Sequence, residues 1–97
     1  MKKTICFDID NVICITGKDK NYKKSIPIIK NIKTINLLYE KGHKIIIFTA
    51  RYMGRCNGNV SLVKKKIKPL TVLQLKKWGV KYHKLYLGKP SYDLFID

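Results

Sequence analysis

Apolar residues recur along this chain in two rhythms. From Thr4 to Ile9 strand formers follow one another almost unbroken, "TICFDI", as suits a parallel strand buried on both faces. A polar stretch, "CITGKDKNYKKSI", runs from Cys14 to Ile26, with Gly17 and Asn21 offering turns; it reads as a small hairpin or a mobile flap. Pro27 fits the first turn of a helix, where its missing N–H costs nothing. Ile28, Ile32, Ile35 and Leu38 or Tyr39 follow at helical spacing, and Gly42 closes the segment. "HKIIIFTA" returns to the strand pattern, with Ile45 to Phe48 apolar and Thr49 at the end. "RYMGRCNGN" is loop-like. A helical stretch runs from about Val60 to Lys66, Pro69 interrupts it, and a second helix is expected from Pro69 to Trp78, with Val72, Leu75 and Trp78 near one face and Gly79 closing it. "KLYLG" and "DLFID" read as a third and a fourth strand.

The order β-α-β-α-β-β predicts a single α/β domain over 1–97, a sandwich with a mainly parallel sheet of about four strands. Ligands of such sheets collect at the carboxyl ends of the strands. Asp8 and Asp10, Thr49, Gly88-Lys89 and Asp97 are all expected there.

Composition narrows the class. With 45% hydrophobic and 28% charged residues in 97 positions, the chain is a folded globule. No apolar run approaches the roughly 20 residues that span a bilayer, and nothing resembles a signal peptide. Cys6, Cys14 and Cys56 make no CxxC pair and leave one thiol over in any disulfide scheme, so reduced cysteines in the cytoplasm are expected. The net charge of +15 attracts polyanions, nucleic acid included, and concentrates small anionic substrates. The lysines are dispersed, so charge alone names no partner. The acids are few, and four of the six lie in "FDID" and "SYDLFID".

In an extended strand, Asp8 and Asp10 point to one side, and like charges at that range disfavour joint ionisation. A shared proton, a cationic side chain or a metal ion must offset the repulsion. Taken alone, the pair also fits a turn and helix start, with Asp10 or Asn11 as a cap.

"FDIDNV" after the first strand, "IIIFTAR" ending the second and "GKPSYDLFID" at the finish together resemble the four motifs of haloacid dehalogenase superfamily phosphatases, over nearly the whole chain. Within that superfamily the run is most similar to small cytosolic phosphatases linked to capsule or surface polysaccharide synthesis. The resemblance implies a Rossmann-like three-layer core without a large cap. It implies a Mg²⁺-dependent phosphomonoester hydrolase with a small sugar phosphate as substrate. By position, Asp8 is then the nucleophile that forms an aspartyl-phosphate, and Asp10 the general acid and base. The Asp8 carboxylate, the Asp10 backbone carbonyl and Asp97 hold Mg²⁺. Thr49 and Lys89, with Asn11, bind the phosphoryl group. Apart from the resemblance, Arg51 and Arg55 in the loop after the second strand are candidates to grip a second anionic group, since arginine suits bidentate phosphate contacts.

In the family a second acid directly follows the first in the last motif, whereas the sequence given ends at Asp97; a shortened C-terminus and a site with one acid fewer are both readings of this. The same chemistry on a nucleotide or polynucleotide end is the enzymatic alternative. A non-catalytic basic module that binds nucleic acid or another polyanion is the alternative of another class. A homo-oligomer whose subunits cover one another's open sites is also compatible with the sequence.

Overall fold

The computed structural model describes residues 2–89. The expected strand in "DLFID" and the site residue Asp97 lie outside the described residues. Within them the chain is an α/β fold. Strands β1 (Thr4–Phe7), β4 (Lys44–Thr49) and β5 (Lys84–Leu87) form a wholly parallel sheet in the order β1-β4-β5. Helices α1 (Ile29–Glu40) and α2 (Val60–Lys77) make the two crossovers. Strands β2 (Cys14–Ile15) and β3 (Ile26–Pro27) pair antiparallel as a small hairpin, one of the two forms expected of the polar stretch.

The strand order advances in one direction, and right-handed crossovers then put both helices on the same face of the sheet. The core agrees: Ile32 and Ile35 of α1 and Leu75 of α2 share one cluster with Ile45 and Ile47 of β4. The described residues therefore form two layers rather than the expected three. It follows that β1 is not buried on both sides. Ile5 and Phe7 are half-buried against the core while Thr4 and Cys6 are exposed.

Both helices differ from the sequence reading. Pro27 pairs with Cys14 in the hairpin, so α1 begins only after Ile28, its N-cap. The helix α2 runs unbroken for 18 residues with Pro69 inside it. Proline removes one hydrogen bond and crowds the preceding turn. Here buried Val63 and Ile67 before Pro69, and Thr71 and Leu75 after it, anchor both halves to the protein. Tertiary burial outweighs the local penalty. The buried face is also rotated from the one expected: Val72 is exposed, and the polar pair Thr71 and Gln74 is buried. Asn59 caps the helix, its side-chain oxygen accepting from the Leu62 amide at 3.1 Å.

Candidate active site

Three strand ends meet at one edge of the sheet. After β1, Ile9 and Ile13 are fully buried and anchor a tight loop. The Ile9 carbonyl accepts from the amides of Val12, Ile13 and Cys14, and Asn11 turns the chain at φ 68°, a left-handed conformation that asparagine tolerates better than most residues. With the intervening Ile9 inward, Asp8 and Asp10 both line a cavity of about 290 Å³, together with Asn11, Thr16 and Lys18. At the end of β4, Thr49 is fully buried and its hydroxyl accepts from the Arg51 amide at 3.1 Å. After β5, the Lys89 amide donates to the Thr49 carbonyl at 3.1 Å, extending the pairing by one rung. Gly88 between them has φ 96°, and a Cβ there would approach the Val60 methyls to 3.1 Å. A glycine is thus what lets the chain turn back and carry Lys89 toward β1.

Each carboxylate has a cation of its own. Lys89 Nζ donates to Asp8 Oδ2 at 3.1 Å, while the Ile9 amide donates to Oδ1 at 2.8 Å. Both partners of this pair are partly exposed. Asp10 meets a guanidinium instead. Arg51 Nε donates to Oδ2 at 3.0 Å and Nη2 donates to Oδ1 at 2.9 Å, a bidentate fork. Of the three offsets the sequence left open, the described residues contain cationic side chains beside both acids.

Arg51 does not reach outward as expected of a substrate clamp. Its side chain is fully buried. Nη1 donates to Gln74 Oε1 at 2.6 Å and to Thr71 Oγ1 at 3.2 Å, and the guanidinium carbon lies 4.7 Å from the centre of the Tyr22 ring. The reason is local: the loop after Thr49 turns inward over the polar face of α2, and that face offers the acceptors a buried guanidinium needs. Thr16 completes the setting of Asp10, its hydroxyl donating to Oδ1 at 2.6 Å and lying 2.7 Å from the Ser25 hydroxyl across the hairpin. Gln74 also donates to the Tyr22 carbonyl. The hairpin, α2 and the loop after β4 are therefore tied together through the Asp10–Arg51 pair.

Thr16, Ser25, Thr71 and Gln74 went unseen in the sequence as parts of this site. A signal existed for two of them. Thr71 and Gln74 fall in phase with Ile67 and Leu75 on one helical face, so polar residues there imply a buried polar partner. Nothing local marks Thr16 and Ser25.

Burial raises the Cys14 thiol above its ordinary value of 9.0, with Asp10 adding to the effect and Thr16 and Arg51 opposing it. Burial likewise raises the Tyr22 phenol above 10.0. Cys14 is thus a protonated thiol at neutral pH, not a nucleophile.

Among the described residues no group of three or more His, Cys, Asp or Glu side chains is placed to hold a metal. Mg²⁺ does not demand such a cage, since it is often held by one or two carboxylates with waters and substrate phosphate completing the octahedron. The partly exposed Asp8 carboxylate and the backbone carbonyls beside it are oxygen donors of that kind. The Asp10 carboxylate, turned to Arg51, is not available in this arrangement.

No family model matches the chain, and no curated protein matches it. A crystallised MCSG target protein from Vibrio cholerae is similar in fold, with a TM-score of 0.88 and 29% identity over all of this chain and 80% of that one.

Proposed function

We propose that the chain is a Mg²⁺-dependent phosphomonoester hydrolase of the haloacid dehalogenase type, acting on a small sugar phosphate. The observation that carries this reading is that Asp8, which lines the cavity beside the ends of β1 and β4, is paired with Lys89 from the end of β5. A carboxylate opposed by an ammonium is suited to attack an anionic ester, because the ammonium can screen the phosphoryl group from it. Asp8 attacks phosphorus through one carboxylate oxygen. The bond from phosphorus to the ester oxygen breaks, and that oxygen leaves with a proton. Water then attacks the aspartyl-phosphate, releasing phosphate and restoring Asp8.

Asp10 is the group placed to give and retake the proton, and Arg51 and Thr16 fix its position. To carry a proton it must yield one Arg51 contact, so Arg51 is a positioning residue rather than a substrate clamp. The Asp8 carboxylate and the Asp10 carbonyl, with Asp97 as the further acid, would hold Mg²⁺, and the chemistry that ion would supply is neutralisation of charge on the phosphoryl oxygens. Cytoplasmic residence and a role in polysaccharide synthesis belong to the same reading.

The test is hydrolysis of p-nitrophenyl phosphate with and without Mg²⁺, native chain against Asp8→Asn. Loss of roughly a hundredfold or more is expected, since removing a covalent nucleophile abolishes its whole pathway. Equal rates in the two proteins would end the proposal.

A further inference from the structure

Beside the candidate active site lies a second cavity, of about 530 Å³, that shares Lys20 and Tyr22 with the first. Four cations line it, Lys20, Lys23, Arg55 and Lys66, against one carboxylate, Asp19. They come from three separate segments: the hairpin connection, the loop after β4 and α2. Their convergence is therefore a product of the fold and not of a charge run. Arg55 is held in place. Its guanidinium carbon stands 4.6 Å from the centre of the Tyr52 ring and 5.6 Å from that of Tyr22, and Nη2 donates to the Lys20 carbonyl at 2.8 Å. A guanidinium fixed on aromatic faces gives up little further freedom when it binds an anion.

We infer that this second cavity binds a second phosphate of the substrate, which makes the preferred ligand a small metabolite phosphorylated at two positions. This rests on the reading of the first cavity as the place where one phosphate is cleaved. The ester bond would lie at Asp8, the body of the molecule would cross Lys20 and Tyr22, and the distal phosphate would meet Arg55, Lys23 and Lys66. Arg55 offers that phosphate a fork, and the two lysines offer point charges. A single-stranded nucleic acid fits the cavity less well. Binding of that kind uses open aromatic faces for base stacking, whereas Tyr22 is buried and Arg55 lies over Tyr52.

Calorimetric binding without Mg²⁺ tests the inference, using fructose 1,6-bisphosphate and fructose 6-phosphate as probes. The native chain is expected to bind the bisphosphate roughly tenfold or more tightly than the monophosphate, the scale of one charge-assisted contact. Lys23→Gln/Lys66→Gln, and separately Arg55→Gln, are expected to erase most of that preference. Lys30→Gln/Lys33→Gln, which removes the same charge from exposed positions on α1, is expected to keep it. No preference in the native chain, or equal loss in both lysine pairs, overturns the inference. So does selective binding of an oligonucleotide over the bisphosphate. Should Arg55→Gln fail to fold, the exposed lysine pair decides. Because binding is the readout, a chain that prefers the bisphosphate yet hydrolyses no ester leaves this site standing and removes only the catalytic proposal.

Discussion

Replacing Arg51 tests how much of this fold depends on its site. In Arg51→Met a chain of similar reach remains, but the Asp10 fork is lost together with the donors to Gln74 and Thr71. Breaking a buried ion pair by removing one partner costs about 3–5 kcal/mol, because the other charge is left uncompensated. Asp10 is 21% exposed at its side chain, so water can reach part of the stranded carboxylate, and the lower end applies. Thr16 still donates to Asp10, which reduces the cost further. Gln74 Oε1 loses a 2.6 Å donor, adding about 1 kcal/mol. The net expectation is a loss of roughly 3 kcal/mol, a large share of the 5–15 kcal/mol typical of a domain. For a chain of this size that lowers the melting midpoint by roughly 10–25 °C. Urea unfolding reads it as a lower midpoint at unchanged slope. The decisive comparison is Asp10→Asn in both backgrounds: with no stranded charge left, the second substitution should recover about 1–2 kcal/mol relative to additivity. A loss under about 0.5 kcal/mol for Arg51→Met, or strict additivity in the cycle, would refute the coupling of Asp10 to the core.

Alkaline pH is expected to destabilise the fold. The Cys14 thiol and Tyr22 phenol have folded values above their ordinary 9.0 and 10.0, so the neutral forms are favoured in the native state. Their contribution is complete below about pH 9 and is lost as pH rises beyond it. Urea midpoints at pH 8 and pH 10 should diverge more in the native chain than in Cys14→Ala, and parallel curves would contradict this. Under native conditions a thiol reagent should modify the exposed Cys6 ahead of buried Cys14 and Cys56. Pro69→Ala should raise stability by about 1–3 kcal/mol, because proline within a helix costs roughly 3 relative to alanine and part of that is already relaxed; an unchanged urea midpoint would mean that α2 accommodates Pro69 without cost.

Much of this architecture is legible in local pattern. The run Ile45 to Phe48 and the spacing of Ile32 and Ile35 report burial directly, because side-chain direction follows from backbone period alone. The convergence of Asp8, Thr49 and Lys89 at strand ends also follows from element order, whereas the hairpin is one of two forms open to the polar stretch. What escaped the sequence depends on tertiary choices. Pro69 is read locally as a break, yet the helix persists because residues on both sides of it are buried. The second face of the sheet looks covered in "TICF" until the strand order sends both helices the same way. Arg51, beside the strand-end Thr49, looks like a loop cation facing solvent, and only the polar face of α2 explains why it turns in.

The two acids of "FDID" end in opposite physical conditions, and that division is what the proposed phosphatase chemistry would require. Asp10 is held by a planar fork whose other donors are fixed to α2 and whose ring contact is fixed to the hairpin, so moving it disturbs three elements. Asp8 is held on one oxygen by a lysine with a flexible stem, and both partners reach solvent. A compact ammonium gives up a contact of this kind readily, whereas the buried guanidinium can release one Asp10 oxygen for protonation and still hold the other. In the proposed reaction, Asp8 would exchange its partner for a phosphoryl group on each turnover, while Asp10 would stay where the leaving oxygen will be. Exchanging the two cations with Arg51→Lys and Lys89→Arg should therefore preserve net charge and remove activity on p-nitrophenyl phosphate. Retention of native turnover by that double variant would show that charge, and not the shape and anchoring of each cation, is what the site uses.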